Sequence, residues 1–277
     1  IAISTMKTNK ADDAFSRQSF LGVNSQSIIE RTVVGIVGLG GGGSHIAQQL
    51  AHLGFLNYVI YDGDLFEESN LNRLVGATEE DIKNKKPKID IARRLISRIR
   101  PHAKIHATMS KWQTSPGRLK SCDIIFGCVD GFDQRRQLEA MARRYLIPLI
   151  DIGMDVHQPE EGSPTISGQV ILSMPGHSCM QCMGFLNENN LAKEAGNYGD
   201  AGINPQVVWS NGLLASAAVG LAVDLITDWS KSLRSPIYLS YRGDSPTLTE
   251  DPIFAYSKKV CKHYPLKEIG APTFTKL

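Results

Sequence analysis

Gly38-Leu39-Gly40-Gly41-Gly42-Gly43 sets glycines at the first, third and sixth positions of a short turn. Glycines allow a tight turn and let phosphate oxygens approach backbone N–H groups. Asp62 follows 19 residues after Gly43, where an acid can hydrogen-bond ribose hydroxyls. The chemistry of this pair is nucleotide binding, with a tight structural turn as the other reading. It does not separate a dinucleotide from ATP.

The next polar stretch, Asp62-Gly-Asp64-Leu-Phe-Glu-Glu-Ser69-Asn70-Leu-Asn-Arg73, is long for a loop. A dehydrogenase has no obvious need for it, whereas a site handling a triphosphate does. Arg73 and Lys88 are its candidate cations, each also readable as a solvated surface charge. Lys88 stands at a helix start, where a cation opposes the helix dipole unless an anion is near. Asp130 closes an apolar segment; it reads equally as a Mg²⁺ ligand bridging phosphates or as a helix N-cap. Cys179-Met-Gln-Cys182 has metal or redox spacing. Cys122 and Cys128 fall on or beside an apolar segment and read as packed thiols. His45, just past the glycines, reads as a packed helix residue sooner than as a phosphate contact.

These residues need a scaffold. Thr32–Leu39 is a continuous apolar run ending in glycines, the look of a buried parallel strand. Helical spacing at Ile46, Leu50 and Leu53 follows, then a second strand at Asn57–Tyr61. Pro87 is expected in the first turn of the next helix, with Ile91, Leu95, Ile96 and Ile99 on its apolar face. Strands are expected at Lys104–Ala107, Ile124–Val129 and Leu149–Ile152, with a helix over Phe132–Tyr145. The alternation predicts an α/β fold with a Rossmann-like, doubly wound, mainly parallel sheet. After Gly153 the pattern changes: a strand at Gln169–Met174, an irregular stretch, a long helix over Gln206–Trp229 and a strand at Ile237–Tyr241. The division is an N-terminal arm or helix over 1–30 and one domain over 31–277. The domain comprises a core over 31–153 and a crossover segment, long helix and antiparallel C-terminal extension over 154–277.

The 277 residues suit one or two domains. Hydrophobic residues at 42% and charged residues at 21% exclude a mainly disordered chain. A net charge of +2 lacks the basic excess of most phosphate-backbone binders, so no nucleic-acid partner is expected. Five cysteines are too few for a disulfide scaffold and suggest a reducing, cytoplasmic setting. Val207–Trp229 is apolar, but Ser210, Asn211, Asp224 and Asp228 favour a buried helix over a membrane span. The chain begins at Ile1, which reads as an excerpt or processed chain, and Ile1–Asn9 has no signal-peptide pattern.

Taken together and in order, these motifs resemble the ThiF/MoeB/ubiquitin-activating-enzyme family of adenylating enzymes. The glycine loop, Asp62-x-Asp64, Ser69-Asn-Leu-x-Arg73, Pro87-Lys88 and Asp130 match the family's series. Arg17-Gln18 and Gly168-Gln169 match two further elements, so the likeness runs from about Phe15 to about Thr227. The resemblance implies that a substrate carboxylate attacks the α-phosphorus of ATP and pyrophosphate leaves. It implies an ATP site at Gly38, Gly40, Gly41, Gly43, Asp62, Asp64, Asn70, Arg73 and Lys88, with Asp62 on ribose. Arg73, Lys88 and Asp130 would be catalytic, Asp130 through Mg²⁺. Arg17 would act on the ATP of a second copy in a homodimer.

The resemblance also implies structural zinc at Cys179 and Cys182. The family's second Cys-x-x-Cys is replaced here by Cys261-Lys-His263, which would complete a Cys₃His set, with His177 as an alternative. The expected substrate is the C-terminal glycine of a ubiquitin-like protein. Met183–Gln206 holds no cysteine, so the chain would stop at the acyl-adenylate or hand it to a cysteine on another protein or an absent domain. The other readings are an NAD-dependent oxidoreductase and a non-catalytic partner subunit of an activating enzyme.

Overall fold

The computed structural model describes residues 13–159, 161–188, 205–227, 229–230, 237–252, 261–265 and 269. Residues 1–12 of the expected arm and 189–204 of the expected crossover segment lie outside the described residues.

Eight strands form one sheet in the order β3-β2-β1-β4-β5-β6-β7-β8. They are β1 (Val33–Val37), β2 (Asn57–Tyr61), β3 (Lys104–Thr108), β4 (Ile124–Gly127), β5 (Leu149–His157), β6 (Thr165–Ser173), β7 (Ile237–Arg242) and β8 (Thr247–Glu250). β3, β2, β1, β4 and β5 run parallel, and β6, β7 and β8 extend the sheet antiparallel. The α/β class and doubly wound sheet expected from the sequence are therefore present. The largest differences from the sequence reading are that β5 runs on to His157, β6 starts at Thr165, and β8 is an additional strand.

Both faces of the sheet are covered, which is why its central strands are apolar without alternation. Val34, Ile36, Tyr58, Ile60, Phe126, Ile150 and Ile152 pack on one side with α2 (Gly41–Leu53), α4 (Lys88–Ile99) and the long helix α6 (Val208–Thr227). Val37, Val59, Tyr61, Ile125, Leu149 and Ile171 face the other side, against Leu138 and Ala142 of α5 (Phe132–Arg144). Successive strand residues alternate between these two cores. α6 is long and apolar enough to cross a membrane, but Leu214, Ala215, Ala218, Val219, Ala222 and Val223 are buried in the first core.

Short α1 (Ser25–Arg31) precedes β1, and α3 (Glu79–Lys83) lies in the polar loop before α4. α3 carries a capping box in which Thr78 and Asp81 exchange hydrogen bonds. Arg94 reaches back from α4 and grips both Asp81 oxygens at 2.5 and 2.7 Å. This bidentate pair holds the Asp81 carboxyl down at about pKa 2. A depressed acid contributes stability that is present above its unfolded value and lost as pH falls through its folded one. Asp81→Asn is therefore expected to cost ~2 kcal/mol at pH 7. The difference from wild type should vanish between about pH 4 and pH 2 in acid-dependent denaturant melts.

Candidate functional site

The strand order reverses between β1 and β4, so their carboxyl ends diverge and leave a crevice, the usual ligand position in open α/β sheets. A cavity of about 360 Å³ opens there. Its lining includes Gly38, Gly40, Gly41, Asp62, Asp64, Asn70, Arg73, Lys88 and Asp130. Residues from five separate stretches of sequence thus meet in one place.

The glycine loop joins β1 to α2, and its glycines do different things. Gly38 adopts a positive φ of 91°, and a Cβ there would lie 2.4 Å from the Cys128 carbonyl oxygen. Gly40 has open space where a side chain would be, on the cavity side. Gly43 does not line the cavity; a Cβ there would lie 1.9 Å from the Gly38 carbonyl oxygen. Gly43 therefore serves contact between helix and turn, and only the earlier glycines face the cleft.

Asp62 is 9% exposed at the end of β2. Its Oδ2 accepts from the Leu39 N–H at 2.6 Å and its Oδ1 from the Asp64 N–H at 2.8 Å. It thus fastens the glycine loop to the following turn. Burial nevertheless pushes its carboxyl above the ordinary range, against these two hydrogen bonds and the nearby Lys88.

Lys88 Nζ pairs with Asp64 Oδ2 at 2.8 Å, and the Lys88 N–H donates to the Asp64 carbonyl at 3.1 Å. This is the anion that lets a cation sit at the α4 N-terminus. Pro87 occupies the N-cap one residue before the first helical residue, a small shift from the position expected in the sequence. Arg73 Nη1 is held by the Ser69 carbonyl at 2.5 Å and Asn72 Oδ1 at 3.0 Å. Asn70 Oδ1 accepts from the Glu67 N–H at 3.3 Å, closing a turn that holds Arg73 at the cleft.

Asp130 is exposed, and among the described residues its carboxylate makes no hydrogen bond or ion pair. Gly131, not Asp130, is the N-cap of α5, so the capping alternative falls away. A free carboxylate beside a phosphate loop fits a Mg²⁺ ion that draws its other ligands from phosphates and water.

Arg17 is exposed and lies outside this cleft. The short helix carrying it, Asp13–Leu21, packs at the far end of α2, where Gln18 donates to the Leu53 carbonyl at 3.0 Å. The two ends of a 13-residue helix are ~20 Å apart, so Arg17 cannot serve its own glycine loop. His45 is half-buried and also absent from the lining.

The lining also includes Lys111, Gln134, Arg135, Asn211 and Gln206, which belong to none of the sequence motifs. Lys111 follows β3, and the rule that ligands bind beyond strand carboxyl ends was the signal for it. Asn211 comes from α6, and no local pattern marks it. Cys122 is a buried core thiol as expected, its pKa pushed up to about 12 by burial. Cys128 differs from expectation in lining the cleft, although burial also keeps its thiol protonated.

A second cluster lies at the opposite end of the sheet, beyond the last residue of β6, which pairs with the first of β5. One ligand atom each from Cys179, Cys182, Cys261 and His263 falls within 4.8 Å of the others. Cys179 Sγ is 3.6 Å from Cys182 Sγ and 3.3 Å from His263 Nδ1, and Cys182 Sγ is 3.4 Å from that nitrogen. A tetrahedral zinc ion with ordinary bond lengths would separate sulfurs by ~3.7 Å and sulfur from nitrogen by ~3.5 Å. The set fits zinc, and His263 rather than His177 completes it. Buried Arg143 braces this loop by donating to the His177 carbonyl at 2.9 Å and the Ser178 carbonyl at 2.7 Å. Buried Glu139 accepts from the Met180 N–H at 2.9 Å.

Comparison with known proteins agrees with this geometry. Residues 15–261 match the model of the ThiF family. The chain is 28% identical over 176 residues to ubiquitin-like modifier-activating enzyme 5 of Dictyostelium discoideum, covering 58% of this chain and 44% of the relative. It is 29% identical over 170 residues to molybdopterin-synthase adenylyltransferase of Escherichia coli strain K12, covering 60% and 64%. The chain thus spans less than two-thirds of these relatives' own lengths. Among solved structures, E. coli MccB superposes with a TM-score of 0.73 at 19% identity, over 92% of this chain and 73% of that one. MccB with ATP gives 0.70 at 19% identity, over 88% and 71%. These structural likenesses establish the fold, and the family match over most of its length establishes that this chain belongs to the ThiF family.

Proposed function

We propose that the chain is an ATP- and Mg²⁺-dependent adenylyltransferase that activates a carboxylate as an acyl-adenylate. The observation that carries this is the gathering of Arg73, Lys88 and Asp130 around the glycine loop in one crevice. An oxidoreductase gives those three groups no task, and a non-catalytic subunit has no need to keep all of them.

The glycine-loop amides and the α2 N-terminus receive phosphate oxygens. Asp62 offers its remaining lone pairs to ribose. Arg73 and Lys88 face the phosphates from the polar loop and offset negative charge as it develops. Asp130 holds the cation, which when bound spreads charge over the phosphate oxygens. One substrate carboxylate oxygen forms a bond to the α-phosphorus. The bond from that phosphorus to the bridging oxygen breaks, and its electrons leave with pyrophosphate. No protein nucleophile is required; catalysis is positioning plus electrostatics.

The favoured substrate is the C-terminal glycine of a ubiquitin-like protein, because relatives include activating enzymes for such modifiers. Arg17, too far from its own cleft, suits a role in the cleft of a second copy in a homodimer. Zinc at Cys179, Cys182, Cys261 and His263 would be structural and pin the chain's end to the loop after β6. The absence of cysteine from 183–206 favours transfer of the acyl group to a thiol elsewhere.

The test is calorimetric titration with Mg-ATP and, separately, NADH, followed by pyrophosphate exchange with candidate modifier tails. Magnesium-dependent ATP binding, no NADH binding and tail-dependent exchange are expected. NADH binding without ATP binding would refute the adenylation reading.

A further inference from the structure

Arg135 is a buried cation at the cleft that the adenylation chemistry above does not use. It sits in the first turn of α5, five residues after Asp130, and is only 5% exposed while lining the cavity. Its hydrogen bonds among the described residues all leave from Nη1. These go to Asp151 Oδ1, to the Ile152 carbonyl at 3.2 Å and to Gln169 Oε1 at 3.2 Å, with the Gln169 amide nitrogen turned to the Gly153 carbonyl. Nη2 and Nε have no partner among them.

The surroundings hold the Arg135 side chain at the cleft. A Cβ on Gly153 would lie 2.5 Å from Arg135 Nη2 and would crowd the Gln169 amide, so only glycine leaves room at this point of β5. The Phe185 ring lies 5.8 Å from the guanidinium carbon and shields it from solvent. Asp151, fully buried, balances the charge from the opposite edge. A guanidinium edge that borders a cavity and has no protein acceptor among the described residues points to an anion that arrives with the ligand.

Two anions meet in an adenylating cleft. The nucleotide phosphates lie over the glycine loop, with Arg73 and Lys88 on the β1–β2 side. Arg135 lies across the strand-order reversal, on the β4–β5 side, among apolar Ile152, Met154 and Leu214. That half suits the end of a peptide chain: apolar walls for the last residues and a planar fork for a carboxylate. Resting on the adenylation reading, we propose that Arg135 binds the terminal carboxylate of the acyl substrate, with Asp151 and Gln169 as positioning residues. The Nε–Nη2 edge takes the carboxylate and holds it on the side of the cleft facing the α-phosphorus.

The experiment is calorimetric titration of a synthetic hexapeptide ending in Gly-Gly, as free acid and as C-terminal amide. The protein is first saturated with Mg²⁺ and α,β-methylene ATP. Wild type should prefer the acid by about tenfold or more. Arg135→Lys keeps the buried charge but loses the fork, and Arg135→Gln with Asp151→Asn removes the pair together so that neither charge is stranded. Both variants should lose the acid preference while binding the nucleotide within about twofold of wild type. Retained preference, a parallel fall in nucleotide affinity, or a wild type that binds nucleotide without preferring the acid would each overturn the assignment of Arg135. Failure of wild type to bind the nucleotide would instead sink the adenylation reading itself.

Discussion

Asp130→Ala is expected to lower magnesium-dependent pyrophosphate exchange by at least ~10³-fold while the protein stays folded. The size follows from position. Asp130 follows β4 by three residues at the strand-order reversal, and its carboxylate has no protein partner among the described residues. Its whole electrostatic effect is therefore available to a bound cation. The fold should hardly notice, because an exposed side chain without partners contributes within about 0.5 kcal/mol to stability. Exchange should fall far more than ATP affinity, since the charge it offsets grows in the transition state. Unchanged exchange in a folded variant would remove Asp130 from the mechanism.

Removing metal from the Cys/His cluster is the other large expected effect. Zinc held by three cysteines and a histidine contributes ~10–16 kcal/mol in peptides that have no other fold, an upper bound for a site inside a domain. Even a loss of ~4 kcal/mol would lower the melting temperature by ~10 °C in a chain of this size. Cys182→Ser or treatment with a strong chelator should produce a drop of that order. The purified chain should carry one zinc per molecule, lost in the variant. Damage should spread, because Arg143 and Glu139 tie the cluster to α5. A metal-free chain with an unaltered melt would refute the zinc assignment.

The ladder of α5 shows why part of the site could not be read in advance. Arg135, Glu139 and Arg143 recur at every fourth residue and read like an exposed charged face. In the structure all three are 5% exposed or less, facing Asp151 and Ser173 across the helix–sheet contact. Nothing local marks them as buried, because their partners come from β5 and β6. Asn211 is similar: it fills the space beside Gly41 from 170 residues away. Gly153 has no special φ, and only the neighbours of its missing Cβ explain it.

The sequence by itself determined the parallel sheet, the glycine loop, the acid after β2, the Lys88 and Arg73 cations, Asp130 and the Cys-x-x-Cys. Each is written in short-range order: apolar runs for buried strands, glycines for a turn, fixed spacing for a shared face. The family match over residues 15–261 spans all of these motifs. Only the tertiary structure decided that Gly43 packs instead of facing the cleft, that Asp64 is the anion beside Lys88, and that His263 completes the cluster. It also decided that Arg135 keeps an unfilled donor edge. Those facts depend on distances between segments far apart in the chain, and such distances are set by how the two cores close around the sheet.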